Sequence, residues 1–196
     1  EADDAIGYMC RYTLKDRRKV IVSSDHDYYQ LLNNNTLIYS PTLKAFVNKK
    51  TVKERYRVSA ENFCLVKSVA GDQSDNIPGV KGLSYKTIAK MIPDTTSSQE
   101  LTLDEFFDKA KEIHKIKNTK LTERLVFGET LVRRNWRLVR LDTNNLNLEH
   151  IKKINKIFEN EMGVKDKFGM LRYLMKLGIN TLNIDGLYLS LQSLTR

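Results

Sequence analysis

The 196-residue sequence contains few residues that cross-link or rigidify a chain, namely two cysteines and three prolines, and it contains a single tryptophan. The cysteines, Cys10 and Cys64, lie far apart in apolar contexts. This excludes a disulfide framework or a cysteine-rich zinc site and indicates buried thiols in a reducing cytosol. No apolar run reaches the roughly 20 residues that a membrane-spanning helix needs. We therefore expect a cytoplasmic protein with no membrane partner.

Acidic side chains are outnumbered by basic ones, with 24 Asp and Glu residues against 33 Lys and Arg residues. The formal net charge of +9 favours a polyanionic partner such as nucleic acid. This indication is a general one, because many basic proteins bind no nucleic acid. A chain of this length can bury a core as one domain, or as one domain with a small annex. It contains neither internal repeats nor a long low-complexity tract.

One loop, residues 69–84, combines two kinds of chemistry. It reads VAGDQSDNIPGVKGLS and lies between two apolar helical patterns. The carboxylates of Asp72 and Asp75 can hold a metal ion. Gly79 and Gly82 permit backbone conformations that side chains disfavour, so that amide groups can face a phosphate. The alternative, an ordinary Gly-Pro loop with solvated acids, accounts for the glycines alone but not for the whole string.

A second acidic cluster lies at the start of the chain, where the sequence reads EADD. Apolar residues recur at helical spacing from Ala2 to Cys10, so Glu1, Asp3 and Asp4 fall on the first turn of an amphipathic helix. Acids at this position also complement the helix dipole. Three acids in four residues exceed what a cap needs, since like charges repel, and a bound cation would relieve that repulsion.

A third cluster follows a β-branched run. Val20–Ser24 is typical of a buried strand in a parallel sheet that is covered on both faces. Asp25 and Asp27 come directly afterwards, at the carboxyl end of the strand, where open α/β sheets place their sites. Two acids spaced by two in an extended turn can face one cation. Alternatively, Asp27 merely caps a helix over Tyr28–Leu32.

The rest of the chain is predicted to be mainly helical. Two short strands near Pro41 form an edge hairpin, Ser84 caps the helix after the acidic loop, and Thr102 with Glu105 forms a capping box. The segment Trp136–Leu141 is predicted to be extended. The predicted strands cover 37–39 and 45–47, and the predicted helices 59–70, 85–92, 102–116, 124–134, 148–158 and 168–177.

Taken in chain order, the three acidic motifs EADD, SSDHDYYQLL and GDQSDNIPGVKGLSYKT resemble the 5′-nuclease (flap endonuclease) family. That family includes the 5′-nuclease domains of bacterial DNA polymerases, the phage 5′→3′ exonucleases and the phage replication ribonuclease H, to which these motifs look most similar. The resemblance implies an α/β fold: a parallel sheet, incomplete in this chain, of a PIN-like core, followed by a mainly helical portion with a helix–three-turn–helix motif. It predicts a nuclease core over 1–58, the DNA-binding element over 59–93 and a helical region over 94–196.

The resemblance also implies a metal site. Four aspartates match catalytic positions of the family: Asp4, Asp25, Asp27 and Asp72. The full metal-binding set adds three acids and comprises Glu1, Asp3, Asp4, Asp25, Asp27, Asp72 and Asp75. Two Mg²⁺ or Mn²⁺ ions about 4 Å apart can activate a water and stabilise an in-line phosphodiester displacement. We therefore expect these carboxylates to converge.

Substrate binding is carried over from the family in the same way. The predicted contacts to the duplex backbone are Gly79, Val80, Lys81, Gly82, Ser84 and Lys86, with Arg133 and Arg134 as further candidates. The family often holds K⁺ at this loop. The expected substrates are duplex DNA with a 5′ flap or nick, or an RNA–DNA hybrid, in a bacterial or phage-infected cell. A single-stranded-DNA-binding protein or a polymerase is the expected replication partner.

Family members carry a preceding segment that supplies the first sheet strand, two further metal-binding aspartates and a basic helical arch. The numbered sequence resembles the part of the family that comes after that segment. It is therefore expected to be a fragment, or to be completed by the N-terminal segment as a separate chain. Residues 1–196 alone are expected to bind branched or nicked duplex but to cleave it very slowly or not at all in Mg²⁺.

Two other functions are compatible with the sequence. The chain could be a non-catalytic DNA-binding fragment of such a nuclease. An apolar strand followed by Asp25-His26-Asp27 also mimics the nucleophile motif of haloacid-dehalogenase-like phosphatases. That alternative leaves the first acidic cluster and the hairpin Gly79–Gly82 unexplained.

Overall fold

The computed structural model describes residues 2–142, 146–159 and 166–193. The chain divides into two compact units, Glu1–Ile154 and Asn155–Arg196. The fold is mixed α/β, as predicted, with a small sheet and mainly helical structure after it.

The sheet of the first unit has three strands, β1 (Lys19–Val22), β2 (Thr36–Ser40) and β3 (Ala45–Val47), in the order β1-β2-β3. β1 pairs with β2 in parallel, and β2 pairs with β3 as an antiparallel hairpin. The predicted parallel pairing and edge hairpin are confirmed. The predicted cover on both faces is wrong for β1, because Val20 is 50% and Val22 68% exposed while only Ile21 between them is buried.

Asp3 and Asp4 of the first acidic cluster lie on the first turn of a helix, as predicted. Helix α1 (Ala2–Tyr8) continues into a turn of π-helix, Met9–Thr13, and packs on a 3-10 helix, His26–Leu31, that follows β1. The cap of the 3-10 helix differs from the prediction: Asp25 is the N-cap residue, and its Oδ1 accepts the amide of Asp27 at 2.9 Å. The side chain of Asp25 reaches the amide of Asp27, two residues later, by forming an Asx turn. Asp27 itself lies inside the helix.

The acidic loop over residues 69–84 lies between the helices Phe63–Ala70 and Tyr85–Met91. Helix α2 (Lys49–Tyr56) precedes α3 (Phe63–Ala70), which begins four residues later than predicted. Two short antiparallel strands, β4 (Gly71–Asp72) and β5 (Ile77–Pro78), narrow the loop before α4 (Tyr85–Met91). Ser84 caps α4 by accepting the amide of Thr87, which confirms the predicted cap.

Three helices complete the first core: α5 (Leu103–Lys117), α6 (Lys120–Phe127) and α7 (Glu129–Val139). The capping box at Thr102 is confirmed. The extended segment predicted over Trp136–Leu141 is wrong, because α7 runs through Val139. Val132, Asn135 and Val139 form its buried stripe, so helical periodicity outweighed the local alternation of apolar and basic residues.

Helix α8 (Leu148–Glu159) begins in the first unit. The second unit contains α9 (Lys167–Lys176) and α10 (Ile184–Ser193). The predicted helices over 148–158 and 168–177 are confirmed by α8 and α9, whereas α10 was not predicted. Gly178, just past α9, has a φ of +72°, which suits the glycine that commonly ends a helix. None of the helices in the described ranges combines the length and apolar character needed to cross a membrane.

Two hydrophobic clusters share helix α3. One cluster gathers Val66 and Val69 with residues of α4 to α7, and the other gathers Phe63 with residues of the sheet and the 3-10 helix. Every residue from Phe63 to Val69 is buried. The acidic loop begins at the carboxyl end of helix α3. The packing of α3 therefore fixes the position of this loop relative to strand β1 and to Asp25 and Asp27, which follow β1.

We expect neither thiol to react with iodoacetamide in the native protein. Cys10 and Cys64 are each 7% exposed. Burial raises the pKa of the Cys10 thiol and raises that of Cys64 to about 12, so little reactive thiolate is present near pH 8. Mass spectrometry after a short labelling pulse should show two unmodified cysteines, and both should label in denaturant. Rapid native labelling of Cys64 would contradict its packing inside α3.

Candidate metal and nucleic-acid site

Two of the three acidic motifs meet at a buried lysine. Lys67, on α3, is 2% exposed, and its Nζ pairs with Asp27 Oδ1 and, at 2.6 Å, with Asp72 Oδ2. The two carboxylate oxygens therefore lie close together, because both contact the same nitrogen. In sequence the two residues are 45 positions apart. The predicted convergence of Asp27 and Asp72 is therefore present in the fold.

The two carboxylates have different surroundings. Burial would raise the pKa of Asp72, but hydrogen bonds from Lys67 and Ser74 outweigh it and lower this pKa to about 2. The Ser74 amide donates to Asp72 Oδ1 at 2.9 Å. For Asp27, burial dominates over the attraction of Lys67 and raises the pKa. Lys67 keeps a raised pKa despite its burial because both acids accept hydrogen bonds from it, so it carries a positive charge.

Three other predicted acids, Asp25, Asp75 and Asp3, lie close enough to act electrostatically on Asp27 or on the adjacent Tyr28. The charges of Asp25 and Asp75 act on Asp27 and help to raise its pKa, and the charge of Asp3 acts on the pKa of neighbouring Tyr28. Asp4 is buried at 7% exposure, and its amide donates to Asp3 Oδ1 at 3.0 Å. Glu1 lies outside the described residues.

The acids do not form a closed metal cage. Across the described ranges, no three His, Cys, Asp or Glu side chains are grouped closely enough to hold an ion. The pair formed by Asp27 and Asp72 nevertheless fits Mg²⁺ or Mn²⁺ in donor chemistry. Magnesium takes hard oxygen ligands and is commonly held by one or two carboxylates while it keeps several waters.

The glycines of the loop serve close packing as well as conformation. Gly82 has a φ of +88°, which suits glycine. Gly79 is needed for a different reason: a Cβ at this position would lie 2.0 Å from the Ala70 carbonyl oxygen. The loop therefore folds back onto the end of α3, and any side chain at Gly79 would separate them.

The predicted contacts to nucleic acid differ in availability. The Val80 side chain is buried, and its amide donates to the Val69 carbonyl at 2.8 Å, so this amide anchors the loop instead of facing a phosphate. Lys81, Gly82, Ser84 and Lys86 are exposed. Ser84 also serves as the cap of α4. Arg133 pairs with Asp104 and with Glu129, which makes it a poor candidate for binding phosphate.

Two residues that support the site were not identified from the sequence. Asn135 on α7 is fully buried and donates to the carbonyl oxygens of Ser68 at 3.0 Å and Pro78 at 2.8 Å. It joins the end of α3 to the second strand of the loop. For Lys67 the sequence holds a signal, a lysine inside the apolar run FCLVKSVA, because such a residue is rarely buried without a partner.

Comparison with known proteins gives a consistent result. No family model matches the sequence. The chain is 35% identical over 108 residues to DNA polymerase I of Caldicellulosiruptor bescii. The matched region covers 52% of this chain and 13% of that polymerase. It is 34% identical over 131 residues to DNA polymerase I of Bacillus subtilis, which covers 64% and 14%. The chain thus spans about an eighth of the length of these relatives.

The solved structures support the fold. A bacteriophage T5 5′-exonuclease with bound zinc ions matches with a TM-score of 0.67 at 24% identity, over 81% of this chain and 59% of the other. A bacteriophage T5 flap endonuclease in complex with DNA and metal ions matches with a TM-score of 0.66 at 23% identity, over 81% and 58%. The phosphatase alternative gains no support from these comparisons.

Proposed function

We propose that this chain is a member of the 5′-nuclease family and contributes to divalent-metal-dependent hydrolysis of phosphodiesters at 5′ ends, flaps or RNA primers. The observation that carries the proposal is the meeting of Asp27 and Asp72 at one cation, because acids from two separate motifs converge where a shared metal ion would need them. The comparison with polymerases and with a metal-bound exonuclease supports it.

Asp27 and Asp72 would hold the ion, and Asp25, Asp75, Asp3, Asp4 and Glu1 are proposed as further ligands, directly or through water. When bound, Mg²⁺ or Mn²⁺ supplies an activated water and stabilises charge on the phosphate. The chain's own contribution is to keep Asp72 ionised through Ser74 and Lys67 and to hold Asp27 beside it. We propose that two such ions share the site, and a metal titration measures their number.

The test of this function is a cleavage assay with the complete gene product. The substrates are a 5′-flap duplex, a nicked duplex and an RNA–DNA hybrid, each with separate labels at the 5′ and 3′ ends. We expect Mg²⁺- or Mn²⁺-dependent release of 5′-terminal products, with none in excess EDTA. Tight binding without any cleavage would instead favour the non-catalytic DNA-binding alternative.

Residues 59–93 are proposed to be the element that binds duplex, through the exposed loop after Gly79 and through α4. Lys81 and Lys86 are exposed on either side of the Ser84 cap. A K⁺ ion at this loop and a polymerase or single-stranded-DNA-binding protein as replication partner are part of the same proposal. Contacts of this kind position the backbone and do not read the bases.

Replacing both Lys81 and Lys86 with Ala should weaken binding evenly across DNA sequences. Removal of one lysine–phosphate interaction should lower the slope of log K against log salt by roughly 1. Fluorescence anisotropy with a labelled nicked duplex at several salt concentrations measures both effects. The matched control is Lys115→Ala with Lys117→Ala, which removes the same charge from the exposed end of α5. An unchanged slope in the first double variant would place the duplex elsewhere.

A further inference from the structure

Lys67 is a charged residue inside an otherwise apolar stretch of helix. Its neighbours on α3, from Phe63 to Val69, are all buried. Four of them belong to the two hydrophobic clusters: Phe63, Leu65, Val66 and Val69. A buried lysine is costly unless it is paired and hydrogen-bonded. Here its ammonium group satisfies two of its three N–H donors on Asp27 and Asp72.

Stability alone is a weak explanation for this arrangement. Well-packed apolar side chains in place of a whole buried ion pair are often as stable or more stable. If only the lysine were replaced, the two acids would repel each other without a cation between them. The ammonium lies within hydrogen-bonding distance of both carboxylates, which is also the position that a divalent ion shared by them would take.

We infer that Lys67 is an internal counter-cation of the acidic site, which holds Asp27 and Asp72 together when no divalent ion is bound and is displaced when one binds. The inference rests on the proposed metal site. Lys67 is a positioning residue in this scheme, because it acts through the two carboxylates.

Charge balance gives the expected direction. With Lys67 in place, the pair of carboxylates and the ammonium carry a net charge of −1, and an entering Mn²⁺ must meet or expel a like charge a few ångströms away. Without the ammonium the pair carries −2. At such a distance one unit charge strongly changes the electrostatic energy of the bound Mn²⁺, even at an effective dielectric constant near 20. Loss of Lys67 should therefore tighten the binding of a divalent ion while it destabilises the metal-free protein.

The test compares Lys67→Met with Lys67→Arg, which keeps the charge. Electron paramagnetic resonance measures free Mn²⁺ in a titration of each protein without nucleic acid. We expect Lys67→Met to bind Mn²⁺ at least about tenfold more tightly than the unaltered chain, and Lys67→Arg to bind it no more tightly. The metal-free Tm should fall in Lys67→Met, and saturating Mn²⁺ should raise it by more than it raises that of the unaltered chain.

Lys49→Met is the control, because Lys49 pairs with Glu61 at 2.7 Å outside the predicted metal set and should leave Mn²⁺ affinity unchanged. If Lys67→Met does not fold without metal, the double variant Asp27→Asn with Lys67→Met removes one charge of each sign and should recover the metal-free Tm. A double variant no more stable than the single one overturns the inference.

The outcomes also separate this inference from the proposed function. Equal or weaker Mn²⁺ binding by Lys67→Met, with measurable binding by the unaltered chain, overturns the role of Lys67 and leaves the metal site standing. No Mn²⁺ binding by either protein at millimolar concentration overturns both.

Discussion

Asp72→Asn is expected to reduce the proposed metal-dependent cleavage by about 10² to 10³-fold, because it removes a full negative charge from the proposed metal site. The substitution is nearly isosteric. The side-chain oxygen of Asn can still accept the hydrogen bond that the Ser74 amide gives to Asp72 Oδ1, so the turn should survive. The measurement is the cleavage rate of the complete gene product at saturating substrate. Circular dichroism establishes that the variant is folded.

Asp27→Asn should have an effect of similar size, since Asp27 contacts the same ammonium group. Asp108→Asn is the matched control, an exposed acid on α5 outside the predicted metal set, and it should cleave at the unaltered rate. Duplex binding should persist in all three variants, because the exposed lysines of the loop are untouched. Full activity of both Asp72→Asn and Asp27→Asn would show that the active site lies elsewhere.

The part of the fold that sequence predicted well is the part governed by local rules. Asp25 and Asp27 were expected at the carboxyl end of a parallel strand, and β1 ends three residues before Asp25. The caps at Ser84 and Thr102 follow directly from side chains that accept nearby amides. Such features depend on a few neighbouring residues, so composition and spacing are sufficient to predict them.

The parts that sequence missed depend on residues far apart in the chain. The pairing of Lys67 with Asp27 crosses 40 positions, and the contact of Asn135 with the Ser68 carbonyl crosses 67. A β-branched strand also gives no indication of which of its faces is covered, and the exposed side chains of Val20 and Val22 are an example. The spacing of Asp25 and Asp27 after a strand predicted that these acids lie at one end of the sheet. It did not predict that Lys67 lies between Asp27 and Asp72, because that depends on how α3 packs.

Gly79→Ala is expected to destabilise the protein strongly, with a loss of about 3 kcal/mol in the free energy of unfolding, at the upper end of the usual cost of overpacking. The added Cβ would lie 2.0 Å from the Ala70 carbonyl oxygen and 2.6 Å from the Gly71 amide nitrogen. Both are backbone atoms at the end of α3, so the clash cannot be relieved by a change of rotamer.

Gly82→Ala is the comparison that separates crowding from backbone conformation. Gly82 has a φ of +88°, and its nearest neighbour to a new Cβ is the flexible end of the Leu121 side chain at 3.1 Å. Its cost should therefore be mainly that of a left-handed residue, about 1–2 kcal/mol. Urea unfolding followed by circular dichroism should rank Gly79→Ala as the less stable variant. Because a displaced loop would also move Asp72 away from Lys67, Gly79→Ala should lose duplex affinity and Mn²⁺ affinity together. The reverse ranking would mean that the loop is not packed against the end of α3.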